Sequence, residues 1–354
     1  MNTFGDKIRL TTFGESHGVA IGGVLDGVPA GFTVDIQHIN AFLAKRKPNE
    51  IYGGTPRKEP DSVQFLSGLK NFTTTGTPVA FLIENKQQHS TDYNHLSDIN
   101  RPSHADFVYR KKYGIYDHEG GGRASARETA IRVVAGSIAA QMLAEKHLQI
   151  STFISQIGSF EIPEPPDLID HQLIPDPHLR KQVMEYLQKL REHQNSVGGV
   201  ISCRVHGMPV GLGEPLYDKL NSRLAAAMFS INAVKGFDIG AGFSAASMTG
   251  VEYNDQMTLK NTKPEFTSNN DGGIQAGISN GNTLSFRVAF KPPSSIGQSQ
   301  KALTTGNEIR EIAIQGRHDS CIVPRAAVVV ESMTALVLLD MLLQKSGKWS
   351  DITL

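Results

Sequence analysis

The chain has 354 residues, and its 35 lysines and arginines balance 35 aspartates and glutamates, so the formal net charge is zero. That argues against a general nucleic-acid binder, which needs a broadly basic face, and leaves room for a locally basic pocket. Hydrophobic residues make up 39%, ordinary for a soluble globular protein. The two cysteines, Cys203 and Cys321, lack zinc or redox spacing; with no recognisable leader, they point to the reducing cytoplasm.

In chain order, residues 8–12 alternate apolar and polar and read as a strand. Residues 19–28 are β-branched and glycine-rich, which also favours extended structure. Residues 35–44 carry Ile36, Ile39, Phe42 and Leu43 at helical spacing. A basic, proline- and glycine-rich loop follows over 45–58, and 79–83 is an apolar run of strand length. The clearest helix starts near Ser125, where Ser125-Ala126-Arg127-Glu128 fits a capping box, and runs to about Lys146. Its small residues (Ala135, Gly136, Ser137, Ala139, Ala140) predict close helix packing. Prolines make 162–167 a loop. Residues 175–194 form a charged amphipathic surface helix. Residues 200–205 and 283–290 read as strands, and 214–230 as a helix. Pro324 suits the first turn of a last long helix. Its apolar run, 326–343, holds Glu331 and Asp340 and therefore reads as a core helix, not a membrane span. Leu25-Asp26-Gly27-Val28-Pro29 is echoed by Val205-His206-Gly207-Met208-Pro209, a short trace of two related halves. No linker separates independent domains, so 1–354 is expected to form one.

Four segments could carry chemistry. Gly14-Glu15-Ser16-His17-Gly18 satisfies G-x-S-x-G, but a hydrolase elbow needs a helix next. Here Val19-Ala20-Ile21-Gly22-Gly23-Val24 follows, a poor helix opening. The segment reads equally as a polar turn between strands, or as a turn that brings His17 to a ligand. In Arg101-Pro102-Ser103-His104-Ala105-Asp106, an arginine could grip a phosphate bidentately while His104 protonates its bridging oxygen; His104 could also be merely structural. Gly120-Gly121-Gly122 runs into Arg123, Ser125 and Arg127. This is neither a Walker A loop nor a Rossmann fingerprint; it is either a flexible loop or an anion site at a helix start. Gly316-Arg317-His318-Asp319-Ser320-Cys321 again joins an arginine, a histidine and a carboxylate, with Asp319 a base or a salt-bridge partner.

The first, third and fourth of these segments resemble, in order, the three signature regions of chorismate synthases. The second, together with Ser230-Ile231-Asn232-Ala233-Val234-Lys235-Gly236 and Lys291-Pro292-Pro293-Ser294-Ser295, resembles further family segments. The resemblance spans about residues 4–345. It implies an α+β fold, a β-α-β sandwich with central helices packed between antiparallel sheets, usually assembled as a homotetramer. It also implies conversion of 5-enolpyruvylshikimate 3-phosphate to chorismate and phosphate. This 1,4-anti elimination, the last shikimate-pathway step, needs reduced FMN without net redox. By position, His17 resembles a proton donor to the flavin. His104 resembles the histidine that assists phosphate departure. Asp319 resembles a carboxylate that takes a flavin proton, and Ser16 a relay. Arg46, Arg101 and Arg127 resemble substrate-facing arginines. FMN contacts are implied at Arg123, Ala124, Ser125, Asn232, Ala233, Ala276, Lys291, Pro292, Pro293, Ser294, Ser295 and Arg317.

The chain departs from the family where bacterial relatives carry an arginine-rich clamp. It has Lys45-Arg46-Lys47-Pro48-Asn49 and then Tyr52, and lysine lacks the bidentate fork of arginine. Lys45, Lys47, Arg57 or Lys58 could compensate. Two readings compete with the lyase: a hydrolase with Ser16 as nucleophile, and a flavin- or phosphate-binding protein without catalysis. His17, His104, His118 and His318 lack ligand spacing, so no metal is expected. With no nicotinamide fingerprint, an external flavin reductant is expected.

Overall fold

The computed structural model describes residues 1–48, 61–86, 96–117, 120–164, 174–314, 319–346 and 349–352. Its helices are α1 (Ile36–Arg46), α2 (Asp106–Tyr113), α3 (Thr129–Glu145), α4 (Pro177–Glu192), α5 (Leu220–Phe229), the single turn α6 (Gly250–Tyr253) and α7 (Val323–Ser346). Two antiparallel five-stranded sheets flank a central layer of α3 and α7, against which α1 and α5 pack. The first runs, edge to edge, Thr3–Phe4, Arg9–Gly14, Ala20–Asp26, Val79–Glu84, Val63–Phe65. The second runs Phe160–Glu161, Gln149–Ile157, Gly199–His206, Leu284–Phe290, Val234–Ile239.

Each strand presents alternate side chains to the helices, as a period of two requires. Val79, Phe81 and Ile83 are fully buried while their neighbours are not. α3 packs against the first sheet and α7 against the second, and the two helices pack along each other. One apolar core therefore runs from sheet to sheet. This is the α+β sandwich with central helices that the resemblance implied.

The small residues of α3 act where they were expected to. A side chain at Gly136 would place its Cβ 2.3 Å from the Cβ of Ser332 on α7. Gly136→Val is therefore expected to cost about 2–3 kcal/mol, since overpacking a dense core forces the helices apart. A lowered urea midpoint at unchanged slope would register this; an unmoved midpoint would contradict the tight crossing.

α7 is long and apolar enough to cross a membrane, yet 94% of its apolar window is buried inside the protein. Its two acids have structural work. Asp340 accepts from the backbone N–H groups of Lys7 (2.6 Å) and Ile8 (2.8 Å), pinning the start of the first sheet to α7. Burial holds the Glu331 carboxyl above its ordinary range, only partly offset by Lys45 at 3.7 Å.

The echo between residues 25–29 and 205–209 has a structural counterpart. Each half runs two paired antiparallel strands, a helix, a third strand and a long helix: Arg9–Gly14, Ala20–Asp26, α1, Val79–Glu84, α3, then Gln149–Ile157, Gly199–His206, α5, Leu284–Phe290, α7, with α4 inserted between the first two strands of the second half. Gly27 (φ 86°) and Gly207 (φ 74°) end matching strands. A Cβ there would lie 1.9 Å from the Lys7 carbonyl oxygen and 2.2 Å from that of His147. Only glycine combines that conformation with that approach.

Two local expectations are corrected. The capping box at Ser125 does not form: Ser125 Oγ accepts from the N–H of Arg127 at 3.4 Å, and residues 126–128 make a 3₁₀ turn before α3. Glu128 turns away because Arg132, one turn on, binds it at 2.8 Å. The helix expected over 214–230 begins only at Leu220. Pro215 follows Gly213, whose φ is 101°, and 214–219 form turns closed by the Glu214 N–H on the Asp218 carbonyl at 3.1 Å.

Candidate active site

The glycine triplet is the spine of the site. Gly120, Gly121 and Gly122 all have positive φ (63°, 85°, 52°), and each is covered by a polar side chain. A Cβ at Gly120 would lie 2.2 Å from His17 Cδ2 and 2.9 Å from Ser16 Oγ. One at Gly121 would meet His104 Cε1 at 3.2 Å, and one at Gly122 would meet Glu15 Oε2 at 2.6 Å. Bare backbone thus brings His17 and His104, far apart in sequence, onto adjacent residues. The 14–18 segment is a turn between two strands. No helix follows Ser16, so the hydrolase elbow is absent. Ser16 Oγ is buried without a hydrogen-bond partner among the described residues.

Beside this spine lies a cavity of about 620 Å³, within the rough 300–1,000 Å³ range of cofactor and small-molecule sites. Its walls include His104, Arg123, Ala124, Ser125, Asn232, Ala233, Asp319 and the whole run Lys291, Pro292, Pro293, Ser294, Ser295. Sequence-distant bonds lock these walls together. Asn232 Nδ2 donates to the Ala124 carbonyl at 2.9 Å, and Lys291 Nζ to that of Ser103 at 2.8 Å. Ala233 holds a positive φ of 69° while its carbonyl accepts from the Lys291 N–H. Arg123, Arg132, Lys291 and Arg325 face Glu128 and Asp319 there. Positive charge is thus concentrated locally in a neutral chain. Burial, then Lys235, holds the Lys291 ammonium below its ordinary range. Asp319 both lines the cavity and pairs with Arg325 at 2.7 Å.

The predicted arginines divide. Arg123 lines the cavity, its guanidinium donating to Thr12 Oγ1 at 2.6 Å. Arg101 does not present a free fork to a phosphate. It is buried, and its Nε and Nη2 donate to Asp106 at 2.7 and 2.8 Å. Arg46 and Arg127 both bind the buried carboxylate of Asp61, Arg46 at 2.9 Å. Neither lines the cavity, and Arg46 stands one layer behind it: Arg325, on its wall, donates to the Arg46 carbonyl at 3.0 Å. Lys45 is directed to Glu331. Ala276 is not part of the cavity in this chain. It turns the hairpin Ile274–Gln275 to Ile278–Ser279, whose Gly277 carbonyl binds the first N–H of α5, while Ser230 at the other end of α5 lines the cavity. Arg317, Tyr52, Arg57, Lys58, His118 and His318 lie outside the described residues.

Sequence reasoning missed Asp61, Tyr116 and Arg325, and gave Asp106 no role. Burial works to raise the Asp106 carboxyl, but hydrogen bonds from Arg101 and His104 overcome it and hold it far below the ordinary range. Tyr116 OH donates to the same oxygen at 2.6 Å, and burial, then that carboxylate, pushes the phenol well above its ordinary value. The R-x-x-H-x-D spacing was a usable signal for Asp106; nothing local pointed to Asp61.

Comparison with known proteins gives one consistent result. A family described as chorismate synthase matches residues 8–343. The chain is 49% identical to the chorismate synthase of Christiangramia forsetii, covering 98% of this chain and 99% of that one. It is 49% identical to that of Porphyromonas gingivalis, covering 98% and 97%. A crystal structure of a chorismate synthase superposes with a TM-score of 0.77 at 31% identity, covering 98% of this chain and 94% of that one.

Proposed function

Because the chain belongs to the chorismate synthase family of carbon–oxygen lyases, we propose that it eliminates phosphate from 5-enolpyruvylshikimate 3-phosphate to give chorismate, with reduced FMN bound in the 620 Å³ cavity. The observation that carries this reading is convergence: five sequence-distant segments supply His104, Arg123 to Ser125, Asn232 and Ala233, Lys291 to Ser295, and Asp319 to one space.

The walls fit a phosphate-bearing aromatic cofactor. Asn232 Oδ1 is buried and has no partner among the described residues, an acceptor that a ligand N–H would satisfy. Arg123, Lys291 and the backbone at Ala124 and Ser125 would hold the cofactor. Reduced FMN, when bound, supplies electron density to the breaking C–O bond.

The elimination balances without a net oxidant. The C3–O bonding pair leaves with phosphate, the C6–H pair enters the new diene, and a proton leaves C6. His104 offers the proton that a departing phosphate needs. His17, packed with Ser16 against Gly120, would hold a proton for the bound cofactor, and Asp319 would accept one from it. Arg123, Arg132, Lys291 and Arg325 counter the charge of stacked anions.

The expected result is formation of chorismate and phosphate by the full chain under anaerobic conditions with dithionite-reduced FMN, and none without flavin. Turnover unchanged in the absence of flavin would refute the reading. Tight flavin binding without turnover would favour a binding protein instead.

A further inference from the structure

His104 is held by more than packing. Its Nδ1 lies 2.6 Å from Asp106 Oδ1 and 3.0 Å from Arg101 Nη2. Arginine only donates, so one state of the nitrogen cannot serve both contacts. A bare Nδ1 accepting from Arg101 would turn its lone pair toward a carboxylate oxygen at 2.6 Å, which is repulsive. Arg101 Nη2 already has that oxygen as its acceptor at 2.8 Å. Nδ1 therefore carries a proton and donates it to Asp106.

Asp106 is itself immobilised. It sits in the first turn of α2 and is 1% exposed. Arg101 donates to its Oδ2 from both Nε (2.7 Å) and the backbone N–H (3.0 Å). Tyr116 donates to Oδ1 at 2.6 Å. Donors from Arg101, His104 and Tyr116 thus converge on one carboxylate. With Nδ1 engaged, Nε2 is the ring nitrogen left to meet a ligand. The Cε1–Nε2 edge of the ring lies over Gly121, and His104 lines the cavity.

We propose that Asp106 is the positioning residue of the site: it fixes the His104 ring with Nδ1–H on its carboxylate and Nε2 toward the cavity, while Arg101 and Tyr116 anchor Asp106. The inference rests on the reading in which His104 protonates the leaving phosphate. It assigns Arg101 to the support of that histidine and not to the substrate. A partner that orients an imidazole through its far nitrogen sets both tautomer and direction, and its loss is felt in turnover more than in binding.

The test uses the full chain with reduced FMN and the variants Asp106→Asn, His104→Ala and their combination. Asp106→Asn is expected to lower kcat by about 100-fold, the upper range for an outer partner of a working histidine. KM for the substrate and Kd for FMN should stay within about threefold. In the His104→Ala background the same substitution should change kcat by less than about threefold, because Asp106 acts through the imidazole. Tyr116→Phe, which alters no charge, should lower kcat by roughly fivefold and lose that effect in the same background. A readout independent of turnover is ¹⁵N-histidine NMR of the flavin-free protein near pH 8, assigned with His104→Gln, where His104 should carry a proton on Nδ1.

No turnover by the wild type would overturn the lyase reading itself, whereas full turnover by His104→Ala would remove His104 from the reaction and the positioning proposal with it. The positioning proposal fails separately if His104 shows a bare Nδ1, or if Asp106→Asn lowers kcat equally with and without the imidazole. Should Asp106→Asn not fold, Tyr116→Phe and the NMR signal decide between the same outcomes.

Discussion

Replacing His104 by alanine is expected to slow phosphate release by about 10²–10⁴-fold, the range carried by a positioned general acid, while FMN still binds. The size follows from the geometry. His104 presents its ring edge to the cavity over Gly121, and among the described residues lining that cavity it is the only histidine. The specificity follows from what stays behind. Asp106 keeps two donors from the Arg101 side chain and one from Tyr116 after the imidazole is gone. No buried carboxylate is left unpaired, so the variant should fold. Anaerobic stopped-flow detection of phosphate, beside an equilibrium FMN titration, separates chemistry from binding. A phosphate burst within threefold of wild type would remove His104 from the reaction.

Asp61→Ala should cost about 3–5 kcal/mol of stability, because it leaves buried cations without their anion. The Asp61 side chain is 1% exposed and that of Arg46 3%; Arg127 binds the other carboxylate oxygen. Burial works to raise the Asp61 carboxyl, but Arg46 and Arg127 overcome it and hold it below its ordinary range. The sign of the linkage follows. A depressed carboxyl contributes its full stability above the unfolded aspartate value of about 3.9 and loses it as pH falls through the lower folded value. Asp106 adds a second depressed carboxyl of the same sign. Wild-type stability should therefore drop as the solution is acidified below about pH 4, and the Asp61→Ala protein should drop less steeply. Urea titrations across that window measure both slopes. Parallel slopes would show that the Arg46–Asp61–Arg127 cluster is not the acid-sensitive element.

The two predictions probe different kinds of legibility. His104 was a candidate in the chain because an arginine stands three residues before it, and close spacing along the chain forces closeness in space; the resemblance supplied its role. Asp61 was invisible because its partners are 15 and 66 residues away, and no local pattern marks an acid that will sit between two arginines. The same distinction explains Arg101. The sequence offers its guanidinium to any anion nearby, and the fold supplies Asp106 before a phosphate can arrive. Ser125 and Glu128 show the limit even at short range. Their spacing allows a capping box, but Arg132 gives Glu128 a charged partner, which outweighs a backbone N–H.

Of the residues the resemblance implies as flavin contacts, Arg123, Ala124, Ser125, Asn232, Ala233 and Lys291 to Ser295 line the cavity, and Ala276 does not. A hairpin holds that residue at the far end of α5 from the cavity. Nothing in the local chemistry of an alanine could have indicated either position.

What the amino-acid sequence determined alone is the set of elements and their buried faces. The 3.6-residue period of α1, the small residues of α3, the apolar run of α7 and the two-residue alternation of the strands are short-range facts, written within a few turns of chain. The glycine triplet belongs with them, since only residues without a Cβ tolerate three successive positive φ angles under three polar side chains. Tertiary structure decided which charges meet. It set Asn232 against Ala124, Lys291 against Ser103, and Asp61 between Arg46 and Arg127. The physical reason is that hydrogen bonds and ion pairs act over about 3 Å of space whatever the separation in sequence. A guanidinium's role is therefore settled by which acceptor the folded chain brings to it first.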